Sequence, residues 1–462
     1  MYPARSRTKG AAKWTTERIA DLVQSGRVHR DAYTDPGIFD LEMERIFGRA
    51  WLLLGHDSQV PRAGDFVTTQ MGRQPVLMVR QRDGGVAVLF NRCAHRGSTV
   101  CSAARGTVTQ FVCPYHGWTY GLDGALLAVP SPEGYAEERS PQRRLGLAEV
   151  PRAEVYRGFV FASLAADGPS LRDFLGPLIS SFDDLVDRAP EGEVEVAGGV
   201  SRHAYDGNWK FVLENHLDTI HPRYVHASSI AAANEQDDGS PTDGAGEVGV
   251  RQMRQNGAPN ELWEGIGLWV AGGGHGYMAD YHDDEKLVAA SDDPVHVEYQ
   301  KRMEAAYGPE RAREILSVTR WNSIVFPNVS FMSQFGQLRI VRPLAAGRTV
   351  LDTYVFRLKG APEAMFRRAV AFANVVNGTG SPVLTDDLEV YERLQTGLGA
   401  DGNEWVDTGR GFGRDVRDGD NGLDRGGTGT SEIAVRNQFR AWAEYMTGAG
   451  AADAADMAVA AE

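Results

Sequence analysis

Two short segments of this chain carry the same pair of side chains: Cys93-x-His95 and, 17 residues later, Cys113-x2-His116. They lie in the string NRCAHRGSTVCSAARGTVTQFVCPYHGW. Whatever fold the chain adopts must give two thiols and two imidazoles a common purpose. One Cys and one His from each segment suit a two-iron, two-sulfide cluster, with two thiolates on one iron and two imidazoles on the other. A structural Cys2His2 zinc site usually pairs its cysteines first, at C-x2–4-C spacing, and its histidines afterwards. Here the two types alternate, which disfavours zinc. Gly97, Pro114 and Gly117 stand beside the candidate ligands, as tight metal-holding loops require. The chain has 3 cysteines, all between positions 93 and 113. Such scarcity and clustering point to metal chemistry in a reducing compartment, with the cytoplasm as default, and not to a disulfide framework. Cys101, between the two segments, reads as a small buried apolar residue.

The segments NRCAHRG and CPYHGWTY-x-LDG resemble the two cluster-binding loops of the Rieske non-haem iron oxygenases, in their catalytic (alpha) subunits. The upstream WLLLGHDSQVPRAGDF is similar to the lead-in to that family's Rieske domain. The resemblance implies a Rieske [2Fe–2S] cluster on Cys93, His95, Cys113 and His116.

A cluster-binding domain alone needs only about 100 residues. This chain has 462, enough for two to four domains at roughly 100–200 residues each. Residues 1–50 are expected to form an N-terminal arm of the catalytic domain, with helical texture from 15 to 50 and a flexible basic start. Residues 51–165 read as a small all-β Rieske domain, with strands QPVLMVR, VAVLF and YRGFVFASL between Gly, Pro and Asp turns. Residues 166–462 read as the catalytic domain. In it LRDFL and SSFDDLV look helical, as does a charged stretch near 296–315. The runs SIVFPNVSFMS, QLRIVRP and TVLDTYVFRL look like successive antiparallel strands, covered by helices PEAMFRRAVAFANVV and DDLEVYERLQTGL. Residues 397–430 are expected to form a long Gly- and Asp-rich loop, SEIAVRNQFRAWAEYM a closing helix capped by Ser431, and the rest an Ala-rich frayed tail. The fold class is α+β: a small all-β domain inserted in a larger domain built on an antiparallel sheet covered by helices.

The second concentration of ligands is NWKFVLENHLDTIHPRYVHASS, with His216, His221 and His226 beside Glu214 and Asp218. A mononuclear oxygenase iron takes two His and one carboxylate on one face and leaves positions open for O2. His221 and His226 are five apart, about 140° around an ideal helix, so the helix must distort or end between them. Pro222 suits the start of a new turn. His216 and His221 have the same spacing, so spacing alone does not choose the pair. The resemblance does: the family's Asp-x2-His-x4-His is matched by Asp218, His221 and His226, and its distant ligand Asp by Asp387 in TDDLEVYERLQTGL, with Asp386 as neighbouring candidate. Asp387 taken alone would read as an acid near a helix N-terminus. Asp218, three residues before His221, can accept a ring N–H of that histidine. By resemblance it also bridges to His116 of a neighbouring subunit, which implies a homotrimer of alpha subunits. Asn215 matches a family position near the iron.

These readings imply a terminal oxygenase that uses a [2Fe–2S] cluster and mononuclear Fe(II) to hydroxylate an aromatic compound, by expectation an aromatic acid. Electrons would come from NAD(P)H through a reductase, a ferredoxin or both, since the chain shows no GxGxxG or flavin motif. The assembly would be the alpha trimer alone, α3, or that trimer with a small beta subunit, α3β3. The VHASS tail after His226 also resembles an O-demethylating monooxygenase branch, but chain length and the DD-x-E helix favour ring dihydroxylation. A Rieske electron carrier without catalysis would leave His221, His226 and Asp387 unexplained. A net charge of −14 argues against general nucleic-acid binding, and no apolar run approaches the ~20 residues of a membrane span. Trp321, Phe331, Met332 and Phe335 are candidates for a pocket wall, with Arg339 or Arg342 as candidates to hold a substrate carboxylate.

Overall fold

The computed structural model describes residues 13–135, 145–235, 245–281, 293–378, 380–418, 423–425 and 428–448. The N-terminal arm before residue 13 and the Ala-rich tail after 448 lie outside them. The chain divides into two compact units, Phe47–Leu171 and the sequence on either side of it.

In the first unit, alternation and β-branched residues build three small antiparallel sheets. Gln74–Arg80 sits between Asp65–Met71 and Val86–Phe90, with Arg105–Thr107 on the outer side of Asp65–Met71. Val76 to Val79 are all buried, so this central strand is covered on both faces. Leu52–His56, Phe159–Ser163 and Arg152–Tyr156 form a second sheet. The run YRGFVFASL is therefore not one strand. Arg157 and Gly158 have φ of 48° and 91° and turn the chain tightly, pairing Tyr156 with Phe159. The third sheet is a hairpin and one added strand: Phe111–Val112, Thr119–Tyr120 and Leu126–Ala128. The loop of that hairpin is Cys113–Trp118.

In the second unit, nine antiparallel strands form one sheet among the described residues. Their order is Val194–Tyr205, Arg348–Leu358, Gln337–Ala345, Val329–Met332, Val318–Val325, His275–Tyr281, Gly267–Ala271, Leu423–Arg425 and Val416–Asp418. Helices Glu363–Asn377, Pro382–Leu398 and Ile433–Thr447 belong to the same unit. The closing helix starts one residue after Glu432, and the Ser431 hydroxyl still accepts from the Ile433 amide at 3.1 Å.

Two expectations need correction here. Residues 15–50 are not continuously helical: short helices Thr16–Ala20, Asp31–Thr34 and Pro36–Arg45 flank a hairpin, Val23–Gln24 with Arg27–His29. Gly26, at φ 72°, makes the turn, and Asp35 restarts the helix by accepting from the Gly37 and Ile38 amides. The 397–430 stretch is not a plain loop either. Trp405–Asp407 pairs with Arg27–His29, and Leu423–Arg425 pairs with Gly267–Ala271, so partner strands give it order. No helix among the described residues is long and apolar enough to cross a membrane.

A buried polar knot ties the N-terminal segment to the site. Glu42 is fully buried and accepts from Lys210 Nζ at 2.5 Å, Trp442 Nε1 at 2.7 Å and Trp209 Nε1 at 2.9 Å. It joins three separate helices through charge-assisted bonds. Loss of one partner would leave a buried charge uncompensated, at a cost of about 3–5 kcal/mol.

Candidate metal centres

The two Cys–His loops are backbone twins. In each, the Cys carbonyl accepts from the glycine four residues on (Gly97 at 2.9 Å, Gly117 at 3.0 Å), and the Cys amide donates to the following residue's carbonyl (Ser98 and Trp118, both at 2.8 Å). Both glycines have positive φ, 77° and 68°, which a side chain would oppose. This geometry buries Cys93 and Cys113 in the apolar cluster of Phe66, Leu77, Leu89, Phe111 and Tyr120. It also sets the imidazoles of His95 and His116 face to edge, 4.6 Å between centroids. Trp118 stacks on His95 at 4.8 Å. Burial alone would raise the Cys93 thiol, but the Tyr120 hydroxyl at 3.0 Å and the amides of His95 and Arg96 outweigh it and lower it. Burial, with His116 and Arg96 nearby, lowers His95. His95 Nδ1 is buried without a hydrogen-bond partner among the described residues. Two core thiols and two neighbouring imidazoles, one with an orphaned nitrogen, are a donor set that can hold an iron–sulfur cluster. Cys101 is partly buried against the same apolar cluster.

The second centre is assembled from two helical segments far apart in sequence. After Lys210–His216 the chain turns at Asp218, whose Oδ1 accepts from the amides of Ile220 (2.6 Å) and His221 (2.9 Å). Pro222 occupies the first turn of helix His221–Val225. That helix ends at His226 (φ −99°, ψ 25°), and another begins at Ala227. The break supplies the rotation that an unbroken helix would deny to residues five apart. Asp387 comes from the second turn of Pro382–Leu398, beyond the Ser381 cap, so the helix dipole does not account for it.

Among the described residues, one group of potential ligands converges: atoms of His221, His226 and Asp387 lie within 4.8 Å of one another. Asp387 Oδ1 stands 3.8 Å from His221 Nε2 and 3.4 Å from His226 Nε2. Ligand atoms at right angles on one metal stand about 3 Å apart, so a small contraction closes the set. The opposite edges of the rings face carboxylates, His221 Nδ1 towards Asp218 (3.6 Å) and His226 Nδ1 towards Asp386 (3.5 Å). Asn215 Nδ2 donates to Asp387 at 3.2 Å. Burial pushes Asp387 up to about 6, although His221, Asn215 and Arg339 favour its ionised form. Burial, with the charge of His221, lowers His226 to about 4 against the pull of Asp386. A buried, incompletely compensated carboxyl facing two imidazoles fits a divalent cation. His216 is not in the set, and its Nδ1 is buried without a hydrogen-bond partner among the described residues.

Asp218 carries a second contact that the sequence did not signal. Arg410, from the Gly-rich stretch, donates to its Oδ2 at 3.4 Å and also pairs with Glu432. Burial would raise Asp218, but His221 and Arg410 outweigh it and hold the carboxyl at about 2.

A cavity of about 120 Å³ opens on the convergent group, walled by Trp321, Met332, Phe372 and Val376, with Arg339 and Asn377 among the polar lining. The other pocket candidates are elsewhere. Phe331 packs against Phe182 at 4.7 Å, Phe335 stacks on Phe372 at 4.1 Å, and Arg342 ion-pairs with Asp352. Alternation turns Phe331 away from the face of Met332, Phe335 lies in the 3-10 turn Ser333–Phe335 beyond that strand, and an available carboxylate engages Arg342.

Residues 193–448 match the family model of the ring hydroxylating alpha subunit (catalytic domain), and residues 50–147 match that of the Rieske [2Fe-2S] domain. The chain is 36% identical to toluate 1,2-dioxygenase subunit alpha of Pseudomonas putida, over 81% of this chain and 80% of that one. It is 33% identical to the 2-halobenzoate 1,2-dioxygenase large subunit of Burkholderia cepacia, over 83% and 80% respectively. A solved structure of naphthalene 1,2-dioxygenase with indole bound in its active site superposes with a TM-score of 0.78 at 28% identity, covering 95% of this chain and 96% of that one. The two matched domains carry a [2Fe–2S] cluster and a mononuclear non-haem iron.

Proposed function

The chain belongs to the ring-hydroxylating alpha-subunit family of Rieske oxygenases, and from that premise we propose that it dihydroxylates a single-ring aromatic acid as the terminal oxygenase of a multicomponent system. One observation carries the reading: His221, His226 and Asp387 converge at a half-open, mainly apolar cavity. Its volume of about 120 Å³ is near the ~150 Å³ of a protein cavity that admits benzene, and argues for one ring over fused or linked rings. The relatives named for toluate and 2-halobenzoate support a substrate with a carboxyl group.

We assign the iron to His221, His226 and Asp387, and the cluster to Cys93, His95, Cys113 and His116. When bound, the iron supplies dioxygen activation and the cluster supplies single electrons. The chain's own contribution is placement. Asn215 turns Asp387 by its hydrogen bond, and Asp218 and Asp386 face the outer nitrogens of the imidazoles at 3.6 and 3.5 Å, close enough to orient them by charge. Trp321, Phe372 and Val376 pack an apolar wall that holds a ring and keeps water out. We place His116 of a neighbouring subunit against Asp218, which makes Asp218 the link to His221 and requires a ring of alpha subunits, α3 or α3β3. The electron donor is a ferredoxin, an NAD(P)H-dependent reductase, or both in series.

The test is anaerobic reconstitution with a generic reductase and NADH, then exposure to O2 with benzoate, toluate and anthranilate. Mass spectrometry should detect products that gain both atoms of ¹⁸O2, from protein holding about three iron atoms per chain. Two iron atoms per chain and no oxygenated product would reduce the protein to an electron carrier.

A further inference from the structure

Arg339 lies on strand Gln337–Ala345, only 5% exposed, in the wall of the cavity. Two other buried guanidinium groups in the unit leave no terminal nitrogen in want of a partner, although Arg320 Nε has none among the described residues. Arg188 forms a 3.0 Å ion pair with Asp184, and Arg320 bonds two serine hydroxyls and lies over the ring of Tyr277. Arg339 is different. Its Nε donates to Asn377 Oδ1 at 3.3 Å, its Nη2 reaches only the thioether of Met332 at 3.5 Å, and its Nη1 is buried with no partner among the described residues. Gln337 fixes the arrangement from behind, since its Oε1 accepts from Asn377 Nδ2 at 2.6 Å and leaves Asn377 Oδ1 for Arg339. With Nε engaged, the end of the fork, Nη1 and Nη2, remains for a planar anion. A second donor is at hand. His216 lines the same cavity, its Nδ1 is also buried and unpartnered among the described residues and donates in the tautomer that places the proton there, and the charge of Arg339 bears on its ring.

We propose that Arg339, with His216 beside it, is the subsite that binds the carboxylate of an aromatic acid. The proposal rests on the oxygenase reading of the preceding subsection and names the residues that select its substrate class. Asp387 acts on the Arg339 charge from a distance, but no carboxylate among the described residues bonds the guanidinium directly, and a buried, rigidly held cation so placed is costly to keep unless a ligand completes it. A neutral arene entering the same cavity would leave it uncompensated, so the subsite rejects hydrocarbons as well as accepting acids.

The experiment is equilibrium binding to the holoenzyme, under anaerobic conditions, of benzoate and its neutral analogue benzamide. The wild type should bind benzoate about a hundredfold more tightly. Arg339→Gln should bring the ratio of the two affinities close to one, Arg339→Lys should keep part of it, and His216→Phe should lower it about tenfold. Because each ratio is taken within one preparation, loss of folded protein cancels, and cluster absorbance reports the holoenzyme present. A wild type that binds benzamide as tightly as benzoate, or an Arg339→Gln variant that keeps the wild-type ratio, overturns the subsite. Turnover separates this from failure of the wider reading. An enzyme that oxygenates toluene but discriminates against benzoate loses only the subsite, whereas one that oxygenates neither loses the function as well.

Discussion

The two metal-binding regions solve the same problem by opposite routes. In the first, Cys93 to Gly97 and Cys113 to Gly117 use one backbone hydrogen-bonding pattern twice, and the fold has only to set two like loops side by side. In the second, His221 and His226 come from a broken helical segment and Asp387 from a helix far along the chain, with no local motif in common. The first region is preorganised by its own turns and buried thiols. The second depends on how Lys210–His216 and Pro382–Leu398 are held, through contacts as remote as the Glu42 knot. A locally built site should break only when its own residues change. A tertiary site should be sensitive at its ligands and at the residues that aim them.

That contrast can be broken most severely at the ligands. Asp387→Ala should lower iron from about three to about two atoms per chain and reduce turnover at least a thousandfold, with the Rieske EPR signal unchanged; full iron and retained turnover would remove Asp387 from the set. Cys113→Ser is the reciprocal case and should abolish that signal. Asp218→Ala comes next. Both metals should stay bound, while single-turnover transfer from reduced cluster to iron slows by about a hundredfold, and normal transfer would refute the bridge.

A smaller effect is expected for Asp386→Asn, which keeps the shape but loses the charge facing His226 Nδ1. Fe(II) affinity of apo-protein, measured by competition with a chelator, should fall about tenfold. The same titration carries a pH dependence. Asp387, raised to about 6 by burial, must be ionised to bind, so affinity should fall as pH drops below about 6, and protonation of the carboxyl competes with the metal. An unchanged affinity at pH 5 would show that Asp387 is not a ligand. The least effect belongs to Gly117→Ala. At φ 68°, with the Pro130 ring 3.3 Å from the added methyl, it should cost about 1–2 kcal/mol, seen as a Tm lower by several degrees with the iron content kept.

Much of the architecture was legible where local pattern and tertiary setting agree. The runs QPVLMVR and VAVLF are the strands Gln74–Arg80 and Val86–Phe90 to the residue, because apolar β-formers there end in turn residues. The strand Gly267–Ala271 was not legible. It and His275–Tyr281 surround three consecutive glycines, and neither run stands out until the sheet supplies neighbours on both sides. The hairpin near Gly26 escaped for a related reason, since its strands are two and three residues long and gain a partner only from Trp405–Asp407.

The residues of the sites divide along the same line. Sequence by itself singled out the candidate donors: two Cys–His pairs at fixed spacing with glycines that permit the turn, and an Asp-x2-His-x4-His segment interrupted by proline. These are properties of neighbouring residues, and backbone sterics and ligand chemistry carry them whatever surrounds them. Only tertiary structure decided which partners those donors have. It brought Asp387 to two imidazoles, set Asp386 behind His226 and Arg410 against Asp218, gave Arg342 a carboxylate, and left Arg339 in the cavity wall with no ion pair among the described residues. Two arginines three residues apart on one strand have the same chemistry in the sequence. Their roles differ because the pairing of strands puts Asp352 beside one, and the cavity beside the other.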